Sequence, residues 1–418
     1  MKLLSQKKLW CIVFLVIVGL MIVASTTVFA EVTIKYGNWQ WLEKGRLEIL
    51  QGFVDQFEAK NPGVKIEKVP TPYSAYNDAL STSFEAGGGP DIFFIQDMAL
   101  VSWIDRGYLE PLNNWITLKD YAEAFPPQQV TAEKDGKTYA VIYEGFPYGA
   151  LIYNKVLLDK AKVDVPKTPD ELLMVSDAVF EATGKTGLAH PTNFANPSYI
   201  MQGGMIVIEG FGGKIVKDGK FAVKEPEFIK GVEFLTKIYN LKSHPAGMQF
   251  GLQRQQFLDG EAAMVMDGSY WPGMCKTASE ELYANIGVAR CPFPDPASPF
   301  ETNWYAINAN SSEPKKEAAA KFIQFLLEPE QANKWAMISG IPGLTFTYDA
   351  VQKENPWFEV YAEVSPYGIV RPLPGHESDT PEIRRIVADS ISFAMSGKVT
   401  PEEAMNKLQD DLEKRFGK

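Results

Sequence analysis

The spacing of apolar residues along the chain alternates between a period of two and one near 3.6, which marks strands alternating with helices. Val32 to Tyr36 alternates like a strand, and from about Lys44 to Lys60 the residues Leu47, Leu50, Phe53, Val54 and Phe57 share one helical face. Asn61-Pro62-Gly63 stops that helix. A second strand, Val64 to Val69, leads to a helix through Tyr76 to Ala86, which Gly87-Gly88-Gly89-Pro90 breaks. Asp91 to Ile95 is then a continuous apolar run, the pattern of a strand buried on both faces. Strand-helix-strand-helix-strand predicts an α/β domain built as a doubly wound sheet.

Further strands are predicted at Thr138 to Tyr143, Gly149 to Tyr153, Ala262 to Met266, Ile286 to Ala289 and Trp304 to Asn308, with an amphipathic helix from Pro314 to Leu327. Thr168-Pro169-Asp170-Glu171 and Thr400-Pro401-Glu402-Glu403 are helix starts, each with a Thr cap, Pro at the first position and acids in the first turn. Met205 to Ile208 reads as a short buried strand or a helix end. No internal repeat and no low-complexity linker interrupts the chain, so two cores would be joined by several short segments rather than one flexible connector.

The first 30 residues read as an export signal that ends after Ala30. Lys2, Lys7 and Lys8 precede the apolar run Leu9 to Ala24, and Val28-Phe29-Ala30 is a small-residue exit. Cys11 lies inside the apolar run, so it does not read as a lipid attachment point. Without the signal, 418 minus 30 leaves 388 residues, more than one core usually serves, and the formal charge moves from −11 to −14 with three lysines gone. Such an acidic chain argues against a nucleic-acid partner. His190, His244 and His376 share no ligand spacing, so no metal or histidine-based catalytic cluster is predicted; they read as surface or capping residues. Cys275 and Cys291 read as two buried thiols rather than a bridge.

In order and spacing, several segments resemble the extracellular solute-binding proteins of ABC importers, in the large sugar-binding group that includes maltose-binding protein. They are Phe57-Glu58-Ala59-Lys60-Asn61-Pro62-Gly63-Val64-Lys65-Ile66, Ala86-Gly87-Gly88-Gly89-Pro90-Asp91-Ile92, Leu151-Ile152-Tyr153-Asn154-Lys155, Phe257-Leu258-Asp259-Gly260-Glu261-Ala262-Ala263-Met264 and Glu317-Ala318-Ala319-Ala320-Lys321-Phe322-Ile323. The resemblance implies a two-lobed periplasmic-binding-protein-like α/β fold, its doubly wound sheets joined by a multi-segment hinge with the ligand held between the lobes. It places residues 31–142 and 305–345 in an N-terminal lobe and residues 143–304 and 346–418 in a C-terminal one. Crossings would lie near Ala140 to Gly145, Thr302 to Trp304 and Gly343 to Tyr348. It also implies a carbohydrate ligand, an ABC importer as partner, a monomer sufficient for delivery, and no cofactor.

Candidate ligand residues follow from position and chemistry. Loops at the C-terminal ends of sheet strands form the crevice of such folds. Asn38-Trp39-Gln40-Trp41, Gln96-Asp97 and Tyr270-Trp271 are three of them, and they carry the aromatic faces and amide or carboxylate groups that suit a sugar's C–H face and hydroxyls. Trp39 and Trp41 flank a polar residue, so at least one of them is expected at the site. Trp103, Trp115 and Trp335 sit in helical apolar patterns and read as core. Gln96 and Asp97 could equally cap the helix beginning near Ala99. The resemblance adds Glu144, Phe146 and Tyr148 at the first crossing, Asn196 and Tyr199 in a ligand loop, Tyr270 as a stacking ring with Trp271 as fallback, and Trp304 at the cleft floor. Arg371 either reaches the cleft or pairs with a surface acid.

Two other classes remain to be weighed. The same fold could hold a polyamine, a glycerol phosphate or a peptide, and an exported glycoside hydrolase would also carry aromatics and acids. A hydrolase needs two carboxyl groups about 5 to 10 Å apart across one bond, and Asp97 with Glu144 is the only pair to nominate.

Overall fold

The computed structural model describes residues 31–121, 127–192, 203–245, 247–339 and 348–417. The export signal over residues 1–30, and with it Cys11, lies outside these, as do Asn196 and Tyr199.

Two hydrophobic cores form. The first is built on β1 (Val32–Asn38), β2 (Val64–Pro70) and β3 (Ile92–Gln96), with helices α1 (Arg46–Lys60), α2 (Tyr76–Glu85) and α3 (Asp97–Asp105) between and after them. β1 pairs in parallel with both β2 and β3. β3 lies inside the sheet and every one of its residues is buried, whereas β2 is the edge strand and alternates half-buried and exposed positions. At Gly37 the strands approach so closely that a Cβ would stand 2.7 Å from the Pro90 ring.

The chain then leaves this core along β4 (Ala140–Pro147), whose residues are all buried. Ala140 to Tyr143 belong to the first core and Phe146 to the second, so this strand crosses between them. The turn at Gly149 releases it into β5 (Ala150–Asn154). Its φ of +91 and a 2.9 Å approach of a notional Cβ to Ser298 both require glycine there.

The second core is a four-stranded sheet. β6 (Thr186–Ala189) pairs in parallel with β7 (Ala262–Asp267), β7 runs antiparallel to β5, and β5 antiparallel to β8 (Ile286–Arg290). Helix α4 (Pro169–Thr183) starts on the Thr168 cap, whose side chain accepts from the Glu171 amide. The same sequence signature at Thr400 gives a capping box with Glu403 and starts the final helix, α11 (Pro401–Phe416). α5 (Met205–Gly210), α6 (Phe250–Leu258), α7 (Trp271–Cys275) and α10 (Thr380–Met395) contribute to the core around this sheet.

A second crossing strand, β9 (Ser298–Ile307), returns the chain. It pairs antiparallel with β3 and β4, and along its first three residues in parallel with β10 (Gly368–Val370). α8 (Glu313–Leu326) then covers the first core, and α9 (Pro329–Ser339) leans on both: Trp335 belongs to the first core and Ala336 to the second. The expected third crossing, 343–348, falls on residues outside those described apart from Tyr348, which opens a short helix.

Two expectations are corrected, for the histidines and Trp115, and a third, for the cysteines, agrees with the structure. All three histidines are buried rather than superficial. His244 bonds the Thr192 hydroxyl and the Leu188 carbonyl, and His376 stacks on Phe221. Trp115 is only partly buried and ends a 3-10 turn, its indole donating to Glu110. Cys275 and Cys291 are free and buried, and burial pushes both thiols well above the usual range.

Candidate functional site

A cavity of about 410 Å³ opens between the two cores, floored by the crossing strands. From the first core come Trp39, Glu43, Lys44, Arg46, Tyr73 and Ser74; from the second, Gly251, Arg254, Tyr270 and Met274; from the crossing segments, Phe146, Tyr148, Glu301 and Asn303.

Trp39 opens the 3-10 turn Trp39–Leu42 at the end of β1. Its ring stands edge-on to Tyr73 and Tyr76, at 5.6 and 4.9 Å, and tilts against Phe94 at 5.2 Å. Trp41 does not line the cavity. It turns into the first core, edge-on to Tyr36 with its indole N–H on the Tyr36 carbonyl. With about three residues per turn, positions two apart on a 3-10 turn point to different sides, which separates the two indoles.

The cavity floor obeys strand alternation. Glu301 and Asn303 of β9 face the ligand space, while Thr302 faces away. That is why Trp304 is not at the floor: it is fully buried, in the first core, with its indole on the Thr302 hydroxyl. Asp97 does not reach the cavity either, and it does not cap. It is the first residue of α3, and its carboxylate accepts from the Thr302 amide at 3.0 Å and the Thr302 hydroxyl at 3.3 Å. Burial pushes its pKa up to about 6, against the pull of Arg371.

Glu301 is the most heavily held acid at the surface of the cavity. It accepts from Tyr148 Oη at 2.8 Å, Arg371 Nη2 at 2.7 Å and Gln96 Nε2 at 3.1 Å. Gln96 therefore acts behind the wall, bridging Asn77, the Tyr73 hydroxyl and Glu301. Arg371 neither reaches the cavity nor meets a surface acid: it is 1% exposed, between Glu301 and Asp97.

Glu144 sits one layer behind as well, fully buried. It accepts from the Trp335 indole at 2.6 Å, the Asn303 amide at 3.1 Å and the Gln40 amide at 3.2 Å, with Arg46 Nη1 at 3.5 Å. Desolvation raises its pKa, while Arg46 and the amide and indole donors oppose the rise. Arg46 lies over both Phe146 and Trp335. Trp335 was expected as core alone; it is core that also orients an acid.

On the far wall Tyr270 stands edge-on to Phe146 at 5.4 Å and carries the Arg254 guanidinium over its ring at 4.9 Å. Its hydroxyl accepts from Arg254 Nη2 and donates to Asp267. Trp271, the fallback, is fully buried against Phe257 and is not part of the lining.

Of the expected residues, then, Trp39, Phe146, Tyr148 and Tyr270 line the cavity, and Gln96, Glu144 and Arg371 support it from behind. Arg46, Tyr73, Arg254, Glu301 and Asn303 were not anticipated. Alternation along the crossing already placed at residues 302–304 would have found Glu301 and Asn303. Nothing in the pattern of α6 marks Arg254. Among the described residues no group of three or more His, Cys, Asp or Glu is placed to hold a metal, and no helix is long and apolar enough to cross a membrane.

The chain matches the family model described as bacterial extracellular solute-binding protein over residues 52–365. The maltotriose-binding protein of Pyrococcus abyssi is 27% identical over 323 residues, which is 73% of this chain and 66% of that relative, slightly less than two thirds of its length. An sn-glycerol-3-phosphate-binding periplasmic protein of Escherichia coli O1:K1 is 23% identical over 412 residues, covering 91% of this chain and 92% of the other. Among solved structures, maltose-bound MalE3 of T. maritima superposes with a TM-score of 0.80 at 24% identity, over 92% of this chain and 99% of that one, and so shares the fold.

Proposed function

Because the chain belongs to the bacterial extracellular solute-binding protein family, we propose that it binds a carbohydrate of a few rings in the cavity between its lobes and delivers it to an ABC importer. The observation that carries this reading is the character of the lining. Five aromatic residues, Trp39, Tyr73, Phe146, Tyr148 and Tyr270, surround charged groups that, apart from Lys44, are already compensated within the protein. Arg46 lies 3.5 Å from both Glu43 and Glu144, Arg254 3.6 Å from Asp267, and Glu301 2.7 Å from Arg371. Such a site offers stacking faces and directional hydrogen bonds without a strong demand for a charged ligand. A neutral polyhydroxyl ring answers that offer. The likeness to a maltotriose-binding relative supports the same class.

The likeness to a glycerol-phosphate binder keeps an anionic ligand as the second reading. The paired state of Arg46 and Arg254 weighs against it, since a phosphate would have to compete with Glu43, Glu144 and Asp267.

The lobes in this reading are residues 31–142 with 305–345 and 143–304 with 346–418, and β4 and β9 are the hinge. A ligand that touches both walls favours the closed arrangement, and one with equal affinity for open and closed forms would shift nothing. The remaining site residues would be Asn196 and Tyr199. Export rests on the signal read over residues 1–30, and one chain is enough for delivery.

Titration calorimetry of the mature chain with glucose, maltose, maltotriose, longer oligosaccharides, spermidine and sn-glycerol-3-phosphate tests the proposal. We expect saturable binding of at least one oligosaccharide with no release of reducing sugar on prolonged incubation. Binding of glycerol phosphate alone would transfer the assignment to the second reading, and reducing-sugar release would make the protein a hydrolase.

A further inference from the structure

Arg371 is a buried cation that no ligand can touch, yet it connects the cavity to three separate parts of the fold. One terminal nitrogen donates to Glu301 Oε2 at 2.7 Å, on the crossing strand β9. The other lies 3.8 Å from Asp97 Oδ1, at the start of α3 in the first lobe. Its own carbonyl accepts from Arg384 Nε at 3.0 Å, on α10 of the second. Asp97 is tied back to Thr302, the neighbour of Glu301. The four groups close a ring around one point of β9.

Burying such an arrangement is costly, since each ion gives up its hydration and a hydrophobic replacement would often serve stability as well or better. A role tied to the ligand accounts for the expense. Glu301 is the cavity acid that Arg371 contacts, and its oxygens are spread among Tyr148, Gln96 and Arg371 in one orientation.

We infer that Arg371 is a positioning residue for ligand recognition: it holds the Glu301 carboxyl group aimed into the cavity, so that Glu301 accepts hydrogen bonds from ligand hydroxyls. A guanidinium suits the task because its rigid, planar fork directs one terminal nitrogen at Glu301 while the other faces Asp97. The inference rests on the carbohydrate reading of this cavity. The charged and titratable groups around Glu301 are Arg371 and Asp97, with Tyr148 and Tyr270 on the cavity side; Arg384 and Glu209 lie one layer further back. Asp97, with its pKa of about 6, remains an anion at neutral pH and shares the guanidinium.

The test uses the mature chain and maltotriose, or whichever panel sugar the unaltered protein binds. If that protein binds no sugar, the carbohydrate reading itself fails, before any variant is made. Given binding, Arg371→Met should weaken it by roughly thirtyfold or more, because Glu301 without its guanidinium partner is no longer held in one orientation. Arg371→Lys, which restores a cation, should stay within about tenfold of the unaltered protein. On a Glu301→Gln background, Arg371→Met should cost less than about threefold, since the group it positions is gone. An equal loss on both backgrounds would overturn the inference and leave Arg371 a structural residue. Thermal unfolding shows which variants fold. Should Arg371→Met alone fail to fold, the double variant decides: affinity matching Glu301→Gln supports the inference, and a further loss beyond about tenfold sinks it. Should neither fold, a folded Arg371→Lys that loses more than about a hundredfold overturns it, and retained binding supports it.

Discussion

Tyr270→Ala is expected to weaken carbohydrate binding by roughly 30- to 1000-fold, the range for a central aromatic contact worth about 2 to 4 kcal/mol. Tyr270 forms the middle of the second-lobe wall, and its removal acts in two ways. The ring itself is lost, with the edge-on support it shares with Phe146 and Tyr148. Arg254 also loses the face and hydroxyl that hold it at the cavity, so a second liner is released. Tyr270→Phe separates the effects: it keeps the ring and removes only the hydroxyl bonded to Arg254 and Asp267, so it should retain most of the affinity. In the opposite wall the matching change is Trp39→Phe rather than Ala. Trp39 is packed against Tyr73, Tyr76 and Phe94, and truncating so buried a ring would cost the fold about 3 to 5 kcal/mol. Calorimetry measures the affinities, and a cooperative thermal unfolding transition of Tyr270→Ala, at a lower temperature because Tyr270 is itself buried, confirms an intact fold. A Tyr270→Ala protein that binds like the parent would remove this wall from the site.

The contrast between Tyr270 and its neighbour Trp271 shows what was legible in the sequence and what was not. Period and punctuation located both at the end of β7, and the same signals gave the interior strand from Asp91 and the caps at Thr168 and Thr400, whereas the crossing regions came from the family resemblance. The strands and the caps are local properties: they depend on residues a few positions apart, where backbone geometry dictates the pattern. Which ring faces the ligand depends on how α7 packs against Phe257, and no local pattern carries that. Arg371 makes the same point with charge. Its partner Glu301 lies 70 positions away in sequence, so a lone arginine between apolar neighbours could be read only as surface or cleft, and the structure shows neither. His244 misled for a related reason. Polar side chains are buried where a tertiary partner satisfies them, as Thr192 and Leu188 satisfy His244, and that partner becomes visible only after folding.

Glu209→Gln should stabilise the protein above neutral pH. Glu209 ends up buried on α5 with Oε2 lacking a hydrogen-bond partner; burial pushes its pKa up to about 8, against the pull of Arg384 and Arg371. In the unfolded chain the same group titrates near 4.3. The folded state therefore holds a proton that the unfolded state has released, and the stability this confers is present at low pH and lost as pH rises through about 8. Other buried groups fix where to look. Asp97, raised to about 6, adds a loss of the same sign up to that pH, whereas His190, pushed down by burial to about 3, acts in the opposite sense up to its unfolded value near 6.5. Between pH 6.5 and 8, below the range in which the unfolded chain releases the thiol protons that buried Cys275 and Cys291 keep, Glu209 is left to dominate, and at about 1.4 kcal/mol per pKa unit the protein should lose on the order of 2 kcal/mol there. Glutamine has the same shape and no charge to bury, so the variant should lose little over that interval and unfold several degrees higher than the parent at pH 8. Urea titrations at pH 6.5, 7.5 and 8 would measure this directly. Parallel slopes for parent and variant would mean that Glu209 is not the group releasing the proton.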